Sequence, residues 1–209
     1  MNTEFVIRNA EFDKKIDVSI MSVEHQQNKI HPHKFTLWVA IGSIVMMFAG
    51  LTSAYIVKRS QANWALLEMP LIFWYSTGAI ILSSLTIFLA KRAFGERQMR
   101  KYRQMLGITA LLGVVFLILQ IIGFLSYGHQ DIRLTGAGSN PSYSFLLAIA
   151  SLHAVHVIGG VITLVVMYLR ALSSKSRNYS AVPIDVASTY WHFVDLLWIY
   201  LFIFFSLMK

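Results

Sequence analysis

The stretch STYWHFVDLLWIYLFIFF, Ser188 to Phe205, decides what kind of protein this chain is. Most of it is Trp, Tyr, Phe, Leu, Ile and Val, the residues hydrocarbon accepts. His192 and Asp195 are the exceptions, three positions apart. An ionisable side chain inside a bilayer costs at least about 2–3 kcal/mol. The pair is therefore either a functional site or a structural element satisfied from within the protein.

The rest of the chain agrees with a membrane reading. Of its 209 residues 56% are hydrophobic and only 13% charged, against about 45–50% and about 25% in a soluble domain. There is no cysteine, which excludes thiolate-ligated metals, disulfides and thiol catalysis. The first residues are polar and of mixed charge, with no unbroken apolar run to serve as a cleavable signal.

A bilayer core about 30 Å thick needs roughly 20 apolar helical residues. Five segments qualify, at about 35–57, 71–90, 105–127, 143–169 and 186–207. Pro32, Pro70, Pro141 and Pro183 each precede a span, where a missing N–H is tolerated. The fold class read from this pattern is an all-α membrane protein, a bundle of five transmembrane helices over residues 34–209 behind a polar tail at 1–33.

Charge gives the orientation. The tail with Lys34, the 2–3 loop KRAFGERQMRKYRQ and the 4–5 loop carry 14 of the 18 Lys and Arg. The positive-inside rule then places the N-terminus in the cytoplasm and the C-terminus outside. The same topology, with attraction to anionic lipid, accounts for the net charge of +8 without a nucleic-acid partner.

The polar groups within the spans are His153, His156, His192 and Asp195, with Gln120 as a neutral companion. His153 and His156 fall on one helical face, which Gly160 and Thr163 share. Such a strip suits another helix, with Gly160 allowing close approach. Haem ligation by paired histidines, a zinc site using Asp195 and a proton relay are the sharper readings of these residues. The spacing matches no metalloenzyme motif, and no titratable chain crosses the membrane. An interhelical polar clasp of His153, His156, Gly160, His192 and Asp195, joining spans four and five, is the expectation. Tyr55, Arg59, Trp64 and Trp191 are candidate lipid or interface contacts, because aromatic and cationic anchors belong at span ends. No phosphate-loop, nucleophile-elbow, zincin or dinucleotide fingerprint occurs, so no catalytic site is expected in this chain.

These residues also carry a resemblance. The run STYWHFVDLLWIYLF resembles the terminal helix of subunit III of haem-copper cytochrome c oxidases. LHAVHVIGG resembles that family's second His motif, with Ala154 where Gly is usual. FAGLTSAYIVKR, ILSSLTIFLAKRA and LGVVFLILQ resemble its other helices in the same order, so the likeness runs from Lys34 to the C-terminus. It implies the short five-helix form of an accessory subunit with no haem or copper of its own. The haem and copper are expected in partner subunits. The resemblance further implies packing against catalytic subunit I, with subunit II nearby, bound phospholipids, and membership of a proton-pumping oxidase in a bacterial inner membrane, with a larger respiratory assembly as a further candidate partner. A quinol oxidase is the alternative, and an unrelated transporter or b-type haem protein a more distant one. Two departures stand out. Ile44 occupies the place of the family's buried Glu, and Gln120 is followed by Ile121, Ile122, Gly123 and Phe124 where a Glu-Tyr pair is usual. Any role credited to those carboxylates does not transfer.

Overall fold

The computed structural model describes residues 32–60, 69–128, 141–173 and 181–208. Residues 1–31 of the expected tail, Trp64 and the outer 3–4 loop lie outside the described residues. Five helices occur among those described: α1 (Pro32–Lys58), α2 (Ile72–Gly95), α3 (Met99–Gly128), α4 (Pro141–Leu172) and α5 (Val182–Leu207). Each is long and apolar enough to cross a membrane. The chain is a multi-pass α-helical membrane protein. It divides into two compact units, Met1–Val39 and Ala40–Lys209. The described part of the first is the start of α1, where Phe35, Trp38 and Val39 are exposed. The second unit holds everything below.

The helices overrun the expected spans, most of all around the 2–3 loop. That segment was expected to be loop from Lys91 to Gln104; instead α2 runs to Gly95 and α3 starts at Met99. The reason is composition: Lys, Arg, Gln and Met are good helix formers, so the helices continue past the apolar region. The turn between them closes by Gln98 N–H to Ala93 O at 2.9 Å and Arg97 N–H to Phe94 O at 3.1 Å. This is a Schellman arrangement, and it puts Arg97 at φ 57°, a position usually held by glycine.

Helices α2, α3, α4 and α5 form a closed ring in which each touches its two neighbours: α2 on α3, α3 on α4, α4 on α5, and α5 back on α2. Trp191 of α5 fills the middle. It is 1% exposed, and its ring lies where a Cβ on Gly113 of α3 would sit at 2.7 Å and one on Gly160 of α4 at 2.9 Å. Its Nε1–H donates to Ser83 Oγ of α2 at 2.6 Å. One side chain thus contacts all three other helices of the ring, and the two glycines make the space for it.

From Ala40 onward α1 meets α4 and α5 through large side chains. Tyr55 is enclosed by Phe145 of α4 and by Phe204 and Phe205 of α5, with ring centroids 6.4, 5.4 and 5.5 Å away. Thr52 Oγ1 and Tyr200 Oη hydrogen bond at 3.1 Å. The most apolar window of α1 is only 17% buried, against 44% for α5, so α5 is the hub and α1 the outlying helix. Ile44, at the position of the missing Glu, packs in the same apolar core as Phe48. Lys91 at the end of α2 pairs with Asp185 at the start of α5 at 3.1 Å, which brings the basic α2–α3 turn to the same end as the α4–α5 connection.

Candidate functional site

On α5, Trp191 and Trp198 are two turns apart and share a face. Trp191 points into the ring. Trp198 Nε1–H donates to Thr77 Oγ1 of α2 at 3.0 Å, and its ring lies tilted by 32° against His153 with centroids 5.3 Å apart. His192 is the next residue after Trp191 and is turned by about 100° from it. That rotation directs it toward α2, where Nδ1 and Ser84 Oγ lie 2.7 Å apart. Asp195 follows on the same side. Ser84, His192 and Asp195 share a cleft of about 480 Å³ between α2 and α5, walled by Ile81, Leu85, Phe88, Leu196 and Ile199.

The histidines of α4 lie elsewhere. His153 is 1% exposed and caged by Phe48 of α1, Phe116 of α3 and Trp198 of α5. Neither of its nitrogens has a hydrogen-bond partner among the described residues. His156 sits against Phe48, centroids 5.9 Å apart, and its Nδ1 is 2.7 Å from Leu152 O. A carbonyl only accepts, so Nδ1 carries the proton. From α5, Tyr190 Oη–H donates to His156 O at 3.1 Å. Thr163 faces outward and satisfies its hydroxyl on Gly159 O at 2.9 Å.

The five residues expected to form an α4–α5 clasp are therefore divided among three places. His153 and His156 belong to an aromatic layer joining α1, α3, α4 and α5. Gly160 is the seat of Trp191. His192 and Asp195 address α2. The spacing put the right residues on common faces of each helix, but it carries no information about which neighbour each face meets. Among the described residues no three His, Asp or Glu side chains gather in a group that could hold a metal.

The expected lipid contacts need a correction. Tyr55 is 0% and Trp191 1% exposed, so neither touches lipid within this chain. Arg59 is exposed, with Nη1 3.5 Å from Met208 Sδ. Sequence reasoning also passed over the residues that tie α2 to its neighbours. Ser83 and Ser84 are the acceptors and partners for Trp191 and His192. Thr86 bonds Thr109 of α3 at 2.8 Å, and Gln120 Nε2–H donates to Ser76 Oγ at 3.0 Å. The available signal was the run of small hydroxyl residues at Ser76, Thr77, Ser83, Ser84 and Thr86, which suits donors arriving from other helices.

The order of the helices and the aromatic and His motifs on the last two match a known family over nearly the whole chain: residues 16–208 fit the family model for cytochrome c oxidase subunit III. The chain belongs to the cytochrome c oxidase subunit III family. It is 30% identical over 170 residues to "Cytochrome c oxidase subunit 3" of Bacillus sp. (strain PS3), covering 79% of this chain and 80% of that one. It is 30% identical over 190 residues to "Probable cytochrome c oxidase subunit 3" of Nocardia farcinica, covering 83% and 90%. It is also 26% identical over 187 residues to "Probable quinol oxidase subunit 3" of Staphylococcus saprophyticus, covering 87% and 91%. Family membership makes the chain a subunit of a haem-copper oxidase complex, associated with other oxidase subunits. The family match begins upstream of Lys34, where the sequence resemblance was first drawn.

Proposed function

We propose that this chain is a non-catalytic subunit that braces the haem-bearing subunit I of a proton-pumping oxidase, beside subunit II, in a bacterial inner membrane. The observation that carries the reading is the family match over residues 16–208. In this reading haem and copper reside in the partner subunits, and His153, His156, Gly160, His192 and Asp195 serve packing and assembly. The burial of Ile44 in an apolar cluster supports a bracing role, because the helix offers no carboxyl there to handle a proton. The N-terminus lies in the cytoplasm, a placement supported by the cations collected near the α2–α3 turn and at Arg170, close to the end of α4. The electron donor is cytochrome c. The similarity to quinol oxidase subunits keeps quinol as the second reading. Oxygen uptake by the purified complex separates them: reduced cytochrome c should sustain turnover, and turnover on quinol alone would transfer the chain to the second reading.

Retention of phospholipid is part of the same proposal. A groove of about 760 Å³ runs between α3 and α4, lined by Arg103, Ile108, Leu111, Val114, Val165 and Tyr168. Gly107 leaves Tyr168 room to lie close to α3; a Cβ there would sit 3.1 Å from the ring. From Arg103 to Val114 is about 16 Å of helix, close to one leaflet of a core about 30 Å thick. The groove thus offers a cation at its mouth and apolar walls to the depth of one acyl chain. Arg103→Gln should lower the anionic phospholipid that co-purifies by about fivefold, the equivalent of the roughly 1 kcal/mol contributed by one juxtamembrane cation. Quantitative lipid mass spectrometry reads this directly, with exposed Arg92, which is paired with Glu96 at 2.8 Å, as the control position.

A further inference from the structure

Asp195, like His153, is a buried polar side chain that the fold leaves without a partner among the described residues, and it alone of the two lines an open cleft. Its residue exposure is 3%, and neither carboxyl oxygen has a hydrogen-bond partner among the described residues. Ser84 is its polar neighbour across the cleft, at a geometry short of a hydrogen bond, and the Ser84 hydroxyl oxygen lies 2.7 Å from His192 Nδ1. A buried polar group without a partner costs roughly 1–3 kcal/mol, more when charged. Packing inside the chain does not require this arrangement. Trp191 and Trp198 already hold α5 to α2 through Ser83 and Thr77.

The cleft that holds Asp195 opens sideways between α2 and α5. Asp195 lies 13 residues into a 26-residue helix, about 20 Å along an axis of about 39 Å, so the cleft sits near mid-membrane. Lipid at that depth is acyl chain and has no hydrogen bond to donate. Water is scarce there as well. What can bring a donor to that depth is another transmembrane helix, since polar side chains in membranes are satisfied across helix interfaces. The walls suit such a helix: Leu85, Phe88 and Leu196 are 56%, 55% and 66% exposed, an apolar rim around a polar floor.

We propose that the α2–α5 cleft is the docking surface for a transmembrane helix of a partner oxidase subunit, and that this helix presents a hydrogen-bond donor to the Asp195 carboxyl. The inference rests on the reading of the chain as an oxidase subunit and says which of its faces makes the contact. His192, fixed through Nδ1, keeps Nε2 for the same visitor. The occupant is thus a helix carrying Arg, Lys, Ser, Thr, Asn or Gln at mid-membrane depth, with apolar neighbours to either side.

The test uses the assembled complex. A photo-crosslinking phenylalanine analogue is placed singly at Leu85 or Leu196 on the cleft rim, and at Met46 of α1, Leu111 of α3 or Ile162 of α4, all exposed and away from it. Adducts are identified by mass spectrometry. Leu85 and Leu196 should capture a polypeptide of another subunit, and the other three should capture lipid. Capture of lipid alone at both rim positions, or of the partner subunit only from Met46, Leu111 or Ile162, overturns the docking surface. Recovery of the chain with no oxidase subunit at all contradicts the proposed function instead, so the two failures are told apart. A second measurement uses Asp195→Asn and Asp195→Leu. Partner recovered per chain should fall by roughly five- to a hundredfold for Leu and less for Asn, which still accepts hydrogen bonds. The purified chain alone should melt no lower with Leu than with Asp, because the unpaired carboxyl is gone. A loss of stability in the isolated chain with partner recovery unchanged would assign Asp195 to internal packing and end the proposal.

Discussion

Trp191→Ala should destabilise the purified five-helix chain by roughly 3–5 kcal/mol, the range for removing a buried Trp or Phe side chain without collapse of the site. Collapse is hindered here because the ring is a three-way contact. Its faces meet the backbone gaps at Gly113 and Gly160, and its Nε1 is bonded to Ser83 at 2.6 Å. Truncation empties the middle of the ring of α2, α3, α4 and α5 and leaves the Ser83 hydroxyl, 0% exposed, without its donor. Thermal unfolding in detergent, followed by intrinsic fluorescence or by helix content, reads the loss. Trp191→Phe separates the two contributions. It keeps much of the packing and removes only the hydrogen bond, at about 1–2 kcal/mol. A melting curve for Trp191→Ala that overlays the wild type would mean that the ring is not held from its centre.

The second large effect is the converse substitution. At Gly113 a Cβ would lie 2.7 Å from the Trp191 ring and 2.8 Å from Val161 Cγ2. Both neighbours are themselves buried, so neither has somewhere to move. Gly113→Ala should cost about 1–3 kcal/mol, the usual range for overpacking, and Gly113→Leu should exceed it and prevent recovery of folded chain. Gly42, Gly50 and Gly78 provide the contrast, since a Cβ at any of them meets nothing within 4 Å. Alanine there should be neutral or slightly stabilising, because alanine is favoured over glycine within a helix by up to about 1 kcal/mol. Expression level and thermal midpoint of the four alanine variants, measured side by side, check the contrast. Equal behaviour at Gly113 and Gly78 would contradict the packing described here.

The number of spans and their order were legible, because each is a long apolar run bounded by proline or by cations. The ends were less legible. Taking α5 to begin at residue 186 instead of Val182 placed Trp191 near the interface, as an anchor. With the observed start, nine residues put it about 14 Å inside the helix, in the core. Tyr55 was misplaced for a different reason. It does lie near the end of α1, but the aromatic rings of α4 and α5 close over it.

The polar residues within the spans were correctly singled out as those that need an explanation, and their pairing was what sequence could not supply. Periodicity assigns residues to faces of one helix. Which helix stands opposite depends on the order around the ring, and here α5 closes on α2, three positions back in the chain's order of spans by way of α4 and α3. His192 and Asp195 therefore meet Ser84 of α2, while the His pair of α4 meets aromatic rings. The hydroxyl residues of α2 look like simple packing residues in isolation. They gain meaning only when the indoles and the imidazole of α5 are set against them.

The central claim is that this chain's chemistry is carried by a neighbour in the membrane. Affinity purification through this chain from membranes, in mild detergent, followed by absorption spectroscopy of the complex and of the separated chain, tests it most directly. The account predicts a reduced-minus-oxidised haem spectrum in the complex, a larger haem-bearing polypeptide in defined ratio to this chain, and no haem absorbance on the chain once separated. Recovery of the chain alone, or a stoichiometric Soret band that stays with it after separation, would contradict the account.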